Sequence, residues 1–328
     1  MGNNRFDYLI EKIDEAPFTE DPFPHILIND FFSKEDFAEI ISSSEIKVAP
    51  AKDDSQMLDQ LFDIGYRAIP FPGAVTDKNA YLEWRRSGKD TQNKHSACEG
   101  FGMTLRLNEP KSDILLELKA FIEGDAFNRA MARRFDIPFE RCVVDSGIQK
   151  YLDGYEISPH PDIRRKAATF MVNINAHERS EELEHHTQYL RFKPGYEYVR
   201  AFWEGNPDID RGWVPWDWCE TVSTQTQNNS IVIFSPSDST MHGVKADYDH
   251  LQGQRTQLYG NLWYEKVKLP QAQWEEMDIR SMVGSGLHKG VKLSLKQQII
   301  ANAPEPMREL GKSLVRKFSR SQGGRNYS

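Results

Sequence analysis

The 328-residue chain is long enough for one large domain or for a core domain with appended segments. Its 41 basic and 49 acidic side chains give a net charge of −8, which excludes a general electrostatic reason to bind nucleic acid. Residues 1–19 are polar, so we expect neither a signal peptide nor a membrane anchor, and we expect a cytoplasmic protein. Three cysteines are too few for a disulfide framework or a Cys-rich zinc site.

The N-terminal part of the chain is predicted to be mainly helical. Residues 22–45 indicate a strand, a turn and a helix, because Ser33 can cap a helix that follows it. Residues 50–100 are mixed and polar, and they predict irregular loops. Apolar side chains recur at helical spacing over 112–135, which predicts one amphipathic helix despite Gly124.

After this helix the apolar pattern changes from helical to extended spacing. Several short strands with turn residues between them favour a β-sandwich or barrel over alternating βα units, so we expect a mainly β fold with flanking helices. The segment 286–328 is locally basic, and it is interpreted either as a solvated amphipathic helix or as a docking surface. The predicted strands are 141–151, 166–175, 187–193, 220–224, 230–235 and 255–267.

A candidate metal site begins with His160 and Asp162. In extended backbone these two side chains would leave the strand on the same face and could converge on one ion. His242 follows the apolar strand IVIF and supplies a second imidazole. Two histidines and one carboxylate on one side of a metal form the facial triad of non-haem iron(II) oxygenases, although the same ligands also suit catalytic zinc.

Arg255 lies thirteen residues beyond the last of these ligands, in a segment that is predicted to be a strand. A guanidinium is a planar fork that can bind a carboxylate through two parallel hydrogen bonds. An arginine that faces the interior near a metal ligand therefore suggests an anionic cosubstrate. A structural salt bridge is the alternative interpretation.

The order of these residues resembles the Fe(II)/2-oxoglutarate-dependent dioxygenases, in particular the prolyl-hydroxylase-like branch. The resemblance covers roughly residues 141–267 and implies a double-stranded β-helix, which is a cupin-like jelly-roll barrel. It implies that His160, Asp162 and His242 bind iron, with 2-oxoglutarate and O2 as cosubstrates. It also implies cosubstrate-binding roles for Arg255, Tyr151 and Asn173.

The resemblance predicts a single oxygenase domain at 1–270, followed by a basic, helical C-terminal extension at 271–328. Within the domain, residues 1–140 would form a helical support and 141–267 the barrel core. The expected activity is hydroxylation of a C–H bond in a small molecule such as an amino acid, a peptide-like metabolite or a sugar-containing natural product, with release of succinate and CO2. The alternatives are a prolyl-type protein hydroxylase and a metal-binding jelly-roll module that is not an oxygenase.

Candidate substrate residues are two tryptophans in an interruption of the barrel pattern and two arginines elsewhere in the sequence. Trp213 and Trp216 lie in the segment 202–220, which is either a substrate lid or a loop packed on the barrel. Arg106 and Arg164 are candidates for binding an acidic substrate, and the alternative for each is solvated surface charge. We expect a small-molecule partner and no nucleic acid or membrane, and the sequence does not reveal the oligomeric state.

Overall fold

Most helices come before residue 135 and most strands after residue 141. The computed structural model describes residues 4–71, 73–88, 101–206 and 212–265. Its helices are α1 (Tyr8–Glu15), α2 (Lys34–Ser42), α3 (Asp54–Asp63), α4 (Lys78–Arg86), α5 (Asp113–Glu123), α6 (Asp125–Arg134) and α7 (Tyr198–Glu204). Its strands are β1 (Phe18–Thr19), β2 (His25–Ile28), β3 (Tyr66–Ala68), β4 (Thr104–Leu107), β5 (Cys142–Tyr151), β6 (Glu156–His160), β7 (Lys166–Asn173), β8 (Thr187–Phe192), β9 (Cys219–Thr224), β10 (Ile231–Phe234), β11 (His242–Lys245) and β12 (Arg255–Tyr264).

The strands form two antiparallel sheets. The larger sheet has the order β1-β2-β10-β7-β12-β5-β4-β3, and the smaller sheet has the order β6-β11-β8-β9. From β5 to β12 the chain passes repeatedly between the two sheets, so that neither sheet is built from consecutive strands alone. This path is that of a double-stranded β-helix, or jelly roll. The predicted mainly β fold with flanking helices is confirmed.

Helices α5 and α6 cover one face of the larger sheet. Phe127 of α6 packs edge to face on Phe170 of β7, with ring centroids 5.2 Å apart. Leu258 and Leu262 of β12 belong to the same buried cluster, in which each large apolar side chain stabilises the fold by about 1.5–3 kcal/mol. Because side chains alternate along a strand, the odd-numbered residues of β12 face the other side of the sheet.

The prediction of one helix over 112–135 is wrong, because the helix is broken at Gly124. The backbone there is extended, with φ −75° and ψ 153°, and α6 starts at the next residue. The Asn128 side chain donates to the Ile122 carbonyl at 2.7 Å, which gives a partner to an acceptor left open at the end of α5. A polar side chain therefore stabilises the break.

The N-terminal predictions have mixed outcomes. The strand, turn and helix expected over 22–45 are confirmed, and the Ser33 hydroxyl accepts a hydrogen bond from the first turn of α2 at 3.0 Å. The irregular loops expected over 50–100 are wrong in part, since α3, β3 and α4 lie there. Both helices are capped by the aspartate that precedes them, Asp53 and Asp77, whose side chains accept backbone N–H bonds.

The predicted C-terminal extension at 271–328 lies outside the described residues. The division into a domain at 1–270 and this extension therefore stays a prediction. Among the described helices, none has both the length and the apolar composition that a bilayer span requires.

Candidate active site

A cavity of about 400 Å³ lies between the two sheets. Strands β4, β5, β7 and β12 of the larger sheet line one side, and β6, β8 and β11 of the smaller sheet line the other. The three predicted metal ligands line this cavity, and so do Tyr151 and Arg255. The fold therefore brings residues that are up to about a hundred positions apart in the sequence to one cavity.

The two histidines of the predicted triad face each other on neighbouring strands. His160 is the last residue of β6 and His242 is the first of β11, and they are paired in register. Their ring centroids are 4.3 Å apart, and Oδ1 of Asp162 lies 3.8 Å from Nε2 of His160. One ligand atom from each of the three residues lies within 4.8 Å of the others, which is the only such cluster in the described part of the chain.

Asp162 reaches the histidines through a turn. Its φ is +76°, which is in the left-handed region and costs about 1–2 kcal/mol for a residue with a side chain. Thr240 stabilises the turn by donating to the Pro161 carbonyl at 2.8 Å. The expected reason for the convergence, an extended strand running through both His160 and Asp162, is therefore wrong.

Backbone hydrogen bonds orient both imidazoles for metal binding. Nδ1 of His160 lies 2.9 Å from the Ser158 carbonyl, and Nδ1 of His242 lies 2.9 Å from the Thr240 carbonyl. A carbonyl can only accept, so each Nδ1 carries the proton and each Nε2 presents a lone pair. Burial lowers the pKa of His160 to about 3 and also lowers the pKa of His242, so both rings are neutral near pH 7.

Asp162 is held by two donors. Lys166 donates to Oδ1 at 2.6 Å, and the Thr169 hydroxyl donates to Oδ2 at 2.7 Å. Burial alone would raise the pKa of Asp162, but the charge and the hydrogen bond of Lys166, together with the two histidines, outweigh burial and hold this pKa below its ordinary value. The carboxylate is therefore ionised, and with two neutral imidazoles it gives a ligand set of charge −1.

Arg255 is a buried guanidinium with unused donors. Its side chain is almost fully enclosed, at 1% exposure, and only Nη2 has a hydrogen-bond partner, the Thr187 hydroxyl at 2.9 Å. Nε and Nη1 have no partner in the described residues. The guanidinium carbon lies 4.4 Å from the ring centroid of Tyr151, its register partner on β5. Burial lowers the pKa of Arg255, but an arginine stays protonated, and an unpaired buried cation is costly. The arrangement suits an anionic ligand.

The Tyr151 hydroxyl is oriented by a chain of polar side chains. Arg106 offers only donors, so the Gln149 amide turns its oxygen toward Nη2 of Arg106, at 2.8 Å. The Gln149 NH₂ then donates to the Tyr151 oxygen at 2.7 Å. This leaves the Tyr151 O–H proton available to a molecule in the cavity. Arg106 also pairs with Asp145 at 2.8 Å, so most of its donors are already used.

No family model and no curated protein matches the sequence. Among solved structures, the chain is similar to a Pseudomonas putida prolyl-4-hydroxylase, with 7% identity, a TM-score of 0.37 and coverage of 79% of this chain and 99% of that one. It is similar to the epimerase SnoN in complex with Fe3+ and alpha ketoglutarate, with 10% identity, a TM-score of 0.36 and coverage of 79% and 83%. A Burkholderia pseudomallei member of the 2OG-Fe(II) oxygenase family has 9% identity, a TM-score of 0.27 and coverage of 69% and 97%. The jelly-roll fold itself follows from the strand order of the two sheets.

The other predicted site residues are divided between the cavity and its surroundings. Trp213 lines the cavity, and its indole N–H has no partner in the described residues. Trp216 lies outside the lining and donates to Glu156 at 2.8 Å. Arg164 also lies outside and pairs with Asp238 at 2.8 Å. The structure therefore does not bring Trp216 and Arg164 to the cavity.

Asn173 lies behind the cavity wall. Its NH₂ group donates to the carbonyls of Gln225 and Gln227, at 2.9 and 3.1 Å. Its oxygen accepts from Gln257 at 2.8 Å, and Gln257 does line the cavity. Asn173 therefore contacts a residue of the lining without being part of the lining, and its cosubstrate-binding role stays a prediction.

The sequence did not single out Lys166 or Thr187 as site residues, yet both line the cavity. Lys166 is the one charged residue in the buried strand KAATFMVN, and an isolated charge in such a run was a usable signal. Thr187 carries no comparable signal, because a threonine at the start of a strand is common.

Proposed function

We propose that the chain is an Fe(II)- and 2-oxoglutarate-dependent dioxygenase that oxidises a C–H bond of a small molecule. One observation carries the proposal: a His-Asp-His cluster and a buried arginine that has no counter-ion among the described residues line the same cavity. A zinc site would account for the cluster alone. It would not account for a buried cation, which needs an anion to compensate its charge.

His160, Asp162 and His242 would hold the iron. Both imidazoles are neutral, both present Nε2, and the carboxylate is ionised, so no ligand has to lose a proton before the metal binds. Three protein ligands from one side leave other coordination positions open, which suits iron in oxygenases. When bound together, Fe(II) and 2-oxoglutarate activate O2 for oxidation of an unactivated C–H bond, with release of succinate and CO2.

Arg255 would bind the far carboxylate of 2-oxoglutarate. Nε and Nη1 have no partner in the described residues, and Nη2 keeps a second N–H beside its bond to Thr187, so a parallel pair of donors remains for a carboxylate. Thr187 holds the third nitrogen in place, and the Tyr151 ring lies against the guanidinium. Tyr151 would add an O–H donor, because Gln149 already donates to its oxygen. Burial strengthens each of these contacts, since water competes little with them.

The remaining lining would contact the substrate. It combines aromatic with polar side chains, as small-molecule sites commonly do, and the cavity volume of about 400 Å³ lies within the range of about 300–1,000 Å³ for such sites. These properties support a small molecule over a folded protein segment. The residues concerned are Phe71, Trp213, Tyr259, Trp263, Asp145 and Asn261.

An anaerobic titration tests the proposal. Fe(II) followed by 2-oxoglutarate is added to the purified protein, and the weak visible charge-transfer band of the chelate is recorded. The wild type is expected to give the band, His242→Ala to lose it, and Arg255→Met to bind Fe(II) without it. Absence of the band in the wild type, together with tight zinc retention, would instead support a metal-binding module that is not an oxygenase.

The substrate class needs a separate assay. Succinate release is measured with pools of amino acids, peptide-like metabolites, glycosylated natural products and proline-containing peptides. Stimulation by a small-molecule pool and not by the peptides supports the proposal. Stimulation by proline peptides alone favours the protein hydroxylase.

A further inference from the structure

Lys166 places a positive charge on the metal-facing side of Asp162. Its Nζ lies 2.6 Å from Oδ1, the same carboxylate oxygen that lies 3.8 Å from Nε2 of His160. The ammonium also donates to the Tyr259 hydroxyl at 2.8 Å, and its side chain is buried. Within the described residues, no second carboxylate pairs with Lys166. The ammonium and a metal ion would therefore share one oxygen.

We infer that Lys166 acts through Asp162 as an internal cation: its charge compensates the carboxylate in the metal-free protein and weakens binding of divalent ions by the triad. The inference rests on the part of the proposed function that assigns metal binding to these three residues. A divalent ion at the histidine nitrogens would lie next to the ammonium, and in a buried site repulsion between the two is only weakly screened.

Two effects of removing the ammonium act in the same direction. The repulsion disappears, which favours the metal-bound state. The metal-free state also loses the charge that compensates a buried carboxylate, which disfavours that state. Thr169 still donates to Oδ2, so the carboxylate keeps one of its two anchors. The net expectation is tighter metal binding.

Other roles of Lys166 predict different results. If its main effect were to orient the carboxylate, its removal would weaken metal binding, as loss of a residue that supports a ligand typically does by about 10–100-fold. If it served only as a hydrogen-bond donor to a substrate, metal affinity without substrate would not change. The sign of the affinity change therefore separates the three roles.

The experiment is an anaerobic calorimetric titration with Mn2+ alone. It is carried out on the wild type, Lys166→Gln and Lys166→Arg. Glutamine keeps a donor and removes the charge, whereas arginine keeps the charge. We expect Lys166→Gln to bind Mn2+ at least about tenfold more tightly, and Lys166→Arg to bind within about threefold of the wild type. Lys119→Met, an exposed change on α5, is the matched control and should leave the affinity unchanged.

A thermal shift provides the second readout. Metal-free Lys166→Gln should melt below the wild type, and saturating Mn2+ should raise its melting temperature by more than it raises that of the wild type. Equal or weaker Mn2+ binding by Lys166→Gln overturns the inference while leaving the proposed function intact. Failure of both wild type and variant to bind Mn2+ overturns metal binding by the triad, and the inference with it.

Discussion

Arg255→Met is the sharpest test of the cosubstrate pocket. The substitution keeps an unbranched apolar side chain of similar length and removes the charge and the donors on Nε and Nη1, which have no partner in the described residues. Loss of one partner from a buried, hydrogen-bonded charge pair costs about 2–5 kcal/mol, which corresponds to about 30-fold to about 5,000-fold in affinity. We expect 2-oxoglutarate affinity to fall by this factor in calorimetric titrations of the Mn2+-loaded protein, with Mn2+ affinity unchanged.

The same substitution should stabilise the protein in the absence of ligands. Replacing buried charge by an apolar side chain gains about 1–4 kcal/mol in comparable sites, and loss of the cation–π contact with Tyr151 offsets about 1–2 kcal/mol of that gain. We therefore expect the ligand-free melting temperature to rise by about 2–4 °C. Function and stability should change in opposite directions.

Two further variants complete the design. Arg255→Lys keeps the charge but loses the fork, so it should retain only part of the affinity. Arg191→Met removes a half-exposed arginine that pairs with Glu220, and it should change neither 2-oxoglutarate binding nor stability by more than about 0.5 kcal/mol. The reasoning is refuted if Arg255→Met binds 2-oxoglutarate like the wild type, or if it is less stable without ligands.

Three other changes test neighbouring features. Tyr151→Phe should keep the packing against the guanidinium and lower the affinity for 2-oxoglutarate by about fivefold, because one hydrogen bond contributes about 1 kcal/mol. Titration of the Mn2+-loaded protein with 2-oxoglutarate measures this change. Burial lowers the pKa of Lys150 from 10.5 to about 7, so the unfolded chain holds more protons than the folded protein between these values and stability should rise from pH 7 to 9. Denaturant unfolding should show this rise in the wild type and lose it in Lys150→Met. Gly260→Ala would place a Cβ 2.4 Å from the Phe170 ring and should lower the free energy of unfolding by about 1–3 kcal/mol.

The predictability of the strands depends on how strong their apolar patterns are. Strand β10, IVIF, and strand β12, with its long alternation, are both recognisable in the sequence. Strands β6 and β11, which carry the two histidines, are not. Pro159 interrupts the apolar alternation of β6. In β11, Gly243 has no side chain to contribute to the pattern, because the Trp216 ring packs closely against its backbone. The strands that position the metal ligands therefore had the weakest local signal.

The site was predictable in its residue types and less so in its geometry. The ligand triad followed from spacing and resemblance, but the left-handed backbone of Asp162 has no signature in the sequence. Arg255 has no counter-ion within the described part of the chain, and this became visible only when its surroundings were assembled from several strands. The pairing of Lys166 with Asp162 depends on the turn that separates them, since this i, i+4 spacing lies outside any helix.

The pairing of His160 with His242 has a consequence for the motion of the barrel. Strand β6 is at the edge of the smaller sheet, where backbone amides open to solvent most easily. An ion held by one residue of β6 and one of β11 would join this edge to its neighbour. Iron loading should therefore slow amide hydrogen exchange along β6 far more than along β9 at the opposite edge. The exchange rate of the β6 amides would then report whether the metal site is occupied.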